Sequence, residues 1–335
     1  MSAIGPLKAS LRRGWERSVR GCKAIQKRAR PLRHSSLGRK LKPVNNASAE
    51  RPPWLTVKAT PGPDYQRLKA LMRGNTLHTV CEEAHCPNIF ECWEQDKTAT
   101  FMILGDTCTR NCRFCAVKSG RPGGVDWDEP ERVASAVMDM QLDHVVITSV
   151  DRDDLVDGGA SIFAATVQAI HDKAPQCQIE LLIPDFGGNQ EALTRVVQVH
   201  PELLDHNIET VRRMTPRVRS RATYEQSLEV LRQAKAIRPL QRTKSSIMVG
   251  VGETWDELLE TLDDLRMADA DIVTIGQYLR PTSKQIPVAR FYTPEEFSRL
   301  REEGMQRGFL HVESGPLVRT SYHAAKQART AVASD

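Results

Sequence analysis

Six of the eight cysteines in this 335-residue chain crowd into residues 81–115. Cys108, Cys112 and Cys115 are spaced C-x3-C-x2-C, in Cys108-Thr-Arg-Asn-Cys112-Arg-Phe-Cys115. Three thiolates in so short a segment can wrap one corner of a small iron–sulfur cube. The fourth iron is then left without a protein ligand, and a small molecule can chelate it and receive an electron. The competing reading is structural zinc, which suits the Cys112-x2-Cys115 pair. Such a site wants four protein ligands, and no second matching pair follows downstream.

A second trio, Cys81, Cys86 and Cys92, is spaced C-x4-C-x5-C, with Pro87-Asn88 after its middle member. Taken singly these are unrelated buried thiols, or zinc ligands with His85 as a fourth. Taken together, with no fourth cysteine close by, they suggest an incomplete shell around a second cluster. Cys22 and Cys177 stand apart. Disulfide frameworks belong mainly to small secreted domains, whereas this chain is long and its start lacks the apolar core of a secretory signal. Metal binding in a reducing compartment is the expectation.

Something must hold these thiols in place. Short apolar runs occur at 100–104, 144–150, 178–183, 203–209, 244–249 and 271–276. Between them lie segments with helical spacing, marked by Val133, Val137 and Met140, by Phe163, Val167 and Ile170, and by Leu258, Leu262 and Leu265. Strand and helix alternating in this way demand parallel strands with crossover helices. Six units fall short of the eight in a full barrel, and a doubly wound open sheet has the same periodicity. In either fold, active sites collect at the C-terminal ends of the strands. Cys108 follows the first strand at that end.

The chain is expected to divide at residues 1–49, 50–97, 98–307 and 308–335. Residues 1–49 hold thirteen Lys or Arg and the single acid Glu16, a charge of +12 against +5 for the whole chain, so the remainder carries −7. Within this arm Leu11, Trp15, Val19 and Cys22 fall at helical spacing. A disordered basic tail, a start assigned too far upstream and an organelle transit peptide all fit. The arm's charge is therefore poor grounds for nucleic-acid binding by the acidic remainder. Arg51-Pro52-Pro53-Trp54 and Pro61-Gly62-Pro63 read as extended, and residues 64–73 as a helix with Asp64 as N-cap. No run of about 18 apolar residues occurs, so no membrane span is expected. The expected location is the cytoplasm, or a mitochondrion or plastid should the arm be a transit peptide.

The C-x3-C-x2-C trio, with the aromatic Phe114 before its last cysteine, resembles the radical S-adenosylmethionine (SAM) signature. That resemblance implies a [4Fe–4S] cluster whose open iron binds SAM, reductive cleavage to a 5′-deoxyadenosyl radical, and a partial (β/α)6 barrel. With the upstream trio added, residues 51–325 resemble the lipoyl synthase family. The resemblance is carried by Asn75-Thr-Leu-His-Thr-Val-Cys81-Glu-Glu-Ala-His-Cys86-Pro-Asn, by Val150-Asp-Arg-Asp-Asp-Leu-Val-Asp-Gly-Gly159, by His206-Asn-Ile-Glu-Thr-Val211 and by Ser314-Gly-Pro-Leu-Val-Arg-Thr-Ser-Tyr-His323.

The family implies a sulfurtransferase that inserts two sulfur atoms at C6 and C8 of a protein-bound octanoyl chain. The second [4Fe–4S] cluster is the donor, and it is consumed. A serine in an Arg-Ser-Ser-Tyr motif is that cluster's fourth ligand; here the motif reads Arg319-Thr320-Ser321-Tyr322, and the role passes to Ser321. For SAM itself the candidates are Asn207 and Glu209 after the fourth strand, Gly250 and Gly252 after the fifth, and Asp151 to Asp154 after the second. Each could equally cap a helix or close a salt-bridged loop. Arg212, Arg213, Arg217, Arg219 and Arg221 form either a solvated charged face or a surface for an acidic carrier. Implied partners are octanoylated lipoyl domains (2-oxoacid dehydrogenase E2 subunits and the glycine cleavage H protein), ferredoxin or flavodoxin as electron donor, and an iron–sulfur carrier for repair. No nucleic acid or membrane is implied. Other sulfur-inserting radical SAM enzymes, such as biotin synthase and the methylthiotransferases, place their auxiliary ligands elsewhere.

Overall fold

The computed structural model describes residues 51–57, 62–84, 86–94, 98–219 and 221–327. Expectations for the arm 1–49, and for His85 as a zinc ligand, lie outside the described residues. The strands are β1 (His78–Thr79), β2 (Thr100–Ile103), β3 (Thr107–Cys108), β4 (Lys118–Ser119), β5 (His144–Ser149), β6 (Gln178–Leu182), β7 (Leu203–Asp205), β8 (Arg242–Val249), β9 (Ile272–Gln277) and β10 (His311–Gly315).

Each of the six apolar runs contributes a strand to one sheet, in the order β1-β2-β5-β6-β7-β8-β9-β10. All neighbours pair in parallel except β1, which runs antiparallel to β2. A doubly wound sheet reverses its strand order at a switch point. Here spatial order follows chain order, so every crossover winds the same way and the sheet is an incomplete TIM-type barrel. Among the described residues its two edges do not pair.

In the sheet, two details differ from the sequence expectation. The fourth run, 203–209, is strand only over Leu203–Asp205; Glu209, with φ of +67°, breaks the extension and returns as an isolated bridge to Ile247. The sheet also gains a seventh parallel strand, β10, in the segment expected to be a C-terminal extension. It pairs with β9 from His311↔Ile272 to Gly315↔Gly276. His311-Val-Glu-Ser-Gly holds a single branched apolar residue and so leaves no apolar run to read.

The three helical stripes are buried as their spacing requires. Those on helices Glu129–Met140 and Ala160–Lys173 share one apolar layer with Phe101, Ile103, Val145 and Ile147. That on Trp255–Met267 packs with Ile247, Val249, Val273 and Ile275 in a second. Each fully buried aliphatic or Phe side chain contributes about 1.5–3 kcal/mol. The last two long helices, Trp255–Met267 and Pro294–Gln306, both open with a Thr–Glu capping box.

The helix near the start runs Pro63–Gly74, and its N-cap is Gly62, not Asp64. Pro63 takes the first position, where a missing N–H costs nothing. Asp64 sits in the first turn without a capping hydrogen bond; Glu94 instead reaches across to accept from the Tyr65 N–H at 3.0 Å.

The segments before β2 and after β10 hold each other. Asn88 Nδ2 donates to the Leu317 carbonyl at 2.7 Å, and the Tyr322 hydroxyl donates to Glu91 at 3.1 Å. Gly276 on β9 lets the second of these segments approach: a Cβ there would stand 2.1 Å from the Val318 carbonyl oxygen.

Candidate functional site

A cavity of about 590 Å³ opens at the C-terminal ends of the strands. Cys81, Cys86, Cys108, Cys112, Cys115 and Ser321 all reach its wall, as do Phe114, Asn207 and Glu209. Thr100, Met102, Thr148, Leu182, Ser246 and Met248 line it from the strands. Cys92 lies on the helix Ile89–Glu94, buried in the same apolar cluster as Cys81 and behind the wall.

The loop of the first trio is tied down on all sides. The Thr109 N–H donates to the Asp151 carbonyl at 3.0 Å, and the Arg113 N–H to that of Val218 at 2.9 Å. Ile286 N–H meets the Arg113 carbonyl, and Gln285 Nε2 the Cys115 carbonyl. At the centre stands Arg110, buried, its fork on Asp153 at 2.7 Å and Asp185 at 2.6 Å, with Asp151 at 3.3 Å. Burial opposes the charge on Asp185, but Arg110 outweighs it and holds the carboxyl at about 2. Asp151, beside the Cys108 sulfur, is pushed up by burial to about 6 against the pull of Arg110.

Burial pushes the thiols of Cys81 and Cys112 up to about 12 and that of Cys115 up to about 11; Cys86 and Cys108 also rise. Each thiol therefore keeps its proton until a metal replaces it. Among the described residues no three His, Cys, Asp or Glu side chains converge on a point that would hold one ion. Zinc needs sulfurs about 2.3 Å from a shared centre. Cys108, Cys112 and Cys115 reach the cavity together as soft donors, the kind that hold iron–sulfur clusters, and on that donor chemistry the residues fit one.

Ser321 and Thr320 face different neighbours. The Thr100 hydroxyl donates to Ser321 Oγ at 2.8 Å, and Thr100 also turns its backbone N–H and hydroxyl toward the Cys81 sulfur. Thr320 Oγ1 accepts from Asn207 Nδ2 at 3.1 Å, and the same amide donates to Glu209 at 3.0 Å. Burial raises the Glu209 carboxyl, with Arg219 opposing. Arg219 in turn grips the Asn207 carbonyl at 3.1 Å.

Other candidates fall elsewhere. Gly250 and Gly252 are not on the cavity wall. Both have positive φ, and Glu253 closes their turn by accepting from the N–H groups of 250, 251 and 252. Of residues 151–154 only Asp151 lines the cavity; Arg152 pairs with Asp154, and Asp153 with Arg110 and Arg221. The arginine run is largely spent on internal acids: Arg212 on Glu225 and Asp264, and Arg213 on Glu257. Arg110, Thr100 and Arg319 line the wall without a sequence signal that marks them for the site, and Arg219, in sequence part of a charged face, lines it too. An arginine between two cysteines or a threonine within a strand is ordinary until its distant partners are known.

Residues 102–265 match the profile of the Radical SAM superfamily, and residues 26–86 that of the N-terminal domain of lipoyl synthase of the Radical SAM family. The second match begins inside the 1–49 arm, upstream of Arg51, where the motif resemblance starts. A lipoyl synthase of Symbiobacterium thermophilum is 62% identical over 285 residues, covering 85% of this chain and 89% of the relative. Another, from Geobacillus sp. strain WCH70, is 57% identical over 290 residues, 87% of this chain and 97% of the relative. Among solved structures, Streptococcus suis SuiB bound to S-adenosylmethionine superposes with a TM-score of 0.52 at 9% identity, over 69% of this chain and 54% of that one. That likeness is one of fold alone.

Proposed function

The chain belongs to the lipoyl synthase family, and from that premise we propose which of its residues carry the family's reaction. It is a radical SAM sulfurtransferase that inserts two sulfur atoms, at C6 and C8, into an octanoyl chain borne by a lipoyl carrier protein. When bound, two [4Fe–4S] clusters and SAM supply an electron, hydrogen abstraction and the sulfur atoms.

Cys108, Cys112 and Cys115 hold the cluster that binds SAM. Cys81, Cys86, Cys92 and Ser321 hold the auxiliary cluster. Supporting this is one observation: five of the six cysteines and Ser321 line a single cavity. The bond from Thr100, which also faces Cys81, favours Ser321 over Thr320 as the oxygen donor. Ser321 gives that set one hard ligand among soft thiolates, the position most easily released. Asn207 and Glu209 receive polar groups of SAM. Met102, Leu182 and Met248 supply apolar wall for an eight-carbon chain and keep water from it.

The carriers proposed are 2-oxoacid dehydrogenase E2 subunits and the glycine cleavage H protein. Ferredoxin or flavodoxin is the proposed electron donor, and an iron–sulfur carrier rebuilds the auxiliary cluster. The two lipoyl synthase relatives named above are bacterial, and on that ground the cytoplasm is the compartment proposed. Among the described residues no helix is long and apolar enough to cross a membrane.

The test is anaerobic turnover with an octanoylated lipoyl-domain peptide, SAM and a reductant, read by mass spectrometry. Wild type should yield the dithiolated peptide. Ala in place of Cys81, Cys86 and Cys92 should still form 5′-deoxyadenosine but no sulfur product, and Ala in place of Cys108, Cys112 and Cys115 should form neither. Sulfur insertion by the first variant would overturn the assignment.

A further inference from the structure

We propose that Thr320 is a positioning residue for SAM: its hydroxyl fixes the Asn207 side-chain amide and ties the Ser321 segment to the loop that receives SAM. The inference rests on the reading of Asn207 and Glu209 given above.

An amide nitrogen has two hydrogens to donate. Asn207 gives one to Glu209 Oε1 at 3.0 Å and the other to Thr320 Oγ1 at 3.1 Å. Glu209 Oε1 accepts from this nitrogen, and that contact sets the face the amide presents. With Nδ2 held at both ends, and the Asn207 backbone carbonyl held by Arg219, Oδ1 has one remaining direction. That oxygen is buried and has no partner among the described residues. Asn207, Glu209 and Thr320 all line the cavity. A buried acceptor left unmet is costly, and native structures seldom leave one so unless a ligand supplies the donor. SAM brings an ammonium and two ribose hydroxyls, each able to donate.

Thr320 is next in sequence to Ser321, whose hydroxyl has a different partner, accepting from Thr100, itself a neighbour of Cys81. The two neighbours thus divide their work. One serves the auxiliary cluster; the other braces the SAM loop across 113 residues of chain. Thr and Ser both offer the needed oxygen, so threonine at this position keeps the bond.

The experiment compares wild type, Thr320→Val, Thr320→Ser and Asn207→Ala, with the Thr320→Val/Asn207→Ala double variant, as cluster-loaded enzyme under anaerobic conditions. SAM affinity is measured by equilibrium dialysis and iron by colorimetric assay, and the KM for SAM is separated from kcat. Thr320→Val should weaken SAM binding about three- to tenfold, the worth of one hydrogen bond between neutral groups, with kcat and iron content held. Thr320→Ser should restore binding, and Thr320→Val should add little once Asn207 is alanine. Unchanged affinity in Thr320→Val, or a full further loss on the Asn207→Ala background, overturns the inference. So does loss of iron in Thr320→Val with SAM affinity intact, which would place Thr320 in the auxiliary ligand shell. Normal SAM binding by Asn207→Ala would show instead that the SAM-site reading itself has failed. Should Thr320→Val not fold, Thr320→Ala makes the same comparison with a smaller side chain.

Discussion

Arg110 lies between the first two cysteines of the C-x3-C-x2-C loop, yet its partners follow β5 and β6, 43 and 75 residues further on. The cysteine spacing was legible because ligand geometry is local. Arg110 was not, because its meaning depends on carboxylates that only the fold brings near. Removing one partner of a buried pair leaves an uncompensated charge, so Arg110→Ala should cost roughly 3–5 kcal/mol in urea denaturation. Arg110→Lys keeps the charge but loses the fork, and should lower SAM cleavage while the auxiliary cluster stays loaded. The Asp185 partner makes this interaction pH-dependent. Its folded value of about 2 lies below that of the unfolded chain. The stabilisation is therefore complete above about pH 4 and drains away as pH falls toward about 2, a loss of roughly 2 kcal/mol. Asp185→Asn should lack that share of acid sensitivity when denaturation is followed at both ends of the range. Ser321→Ala and Ser321→Cys should both form 5′-deoxyadenosine while lipoyl product falls at least about tenfold, and the cysteine variant should retain its iron. Full product from Ser321→Ala would remove Ser321 from the reaction.

At the level of elements, six strands were legible because each is an apolar run buried on both faces, as parallel strands must be. β10 was not, since it lies at a sheet edge, where one partner strand suffices and a polar sequence is tolerated. Sequence periodicity also could not choose between an open doubly wound sheet and a barrel; strand order decides that, and strand order is a tertiary fact. The segment after β10 depends on a glycine two elements away. Gly276→Ala would set a methyl group 2.1 Å from the Val318 carbonyl oxygen, against backbone that cannot swing aside as a side chain would. The segment carrying Ser321 must then lift from β9. Iron per chain in Gly276→Ala should fall by about half, with the loss confined to the auxiliary cluster. SAM binding that fell in parallel would mean that the whole barrel edge, and not the segment alone, had moved.

Across the whole molecule, the 1–49 arm divides in two by its match to the family. The lipoyl synthase N-terminal match begins at residue 26, and Arg51, just past the arm, already lines the cavity. Deleting residues 1–25 should leave iron content and turnover unchanged. Deleting residues 1–49 should lower auxiliary iron, measured on the purified anaerobic protein; equal iron in both would show that the entire arm is dispensable. The two far ends of the described chain meet at the site. Asn88 finds its partner 229 residues later at Leu317, Thr100 meets Ser321 across 221, and Tyr322 reaches back 231 to Glu91. A ribosome adds about 5–20 residues per second, so the cysteine segment waits roughly 10–50 seconds for the residues that close over it. The loop of Cys108, Cys112 and Cys115 needs nothing beyond Ile286 to be held. Birth order thus sets closing order: the loop of Cys108, Cys112 and Cys115 can be tied down on the nascent chain before residues 317–322 are made to meet Asn88, Glu91 and Thr100.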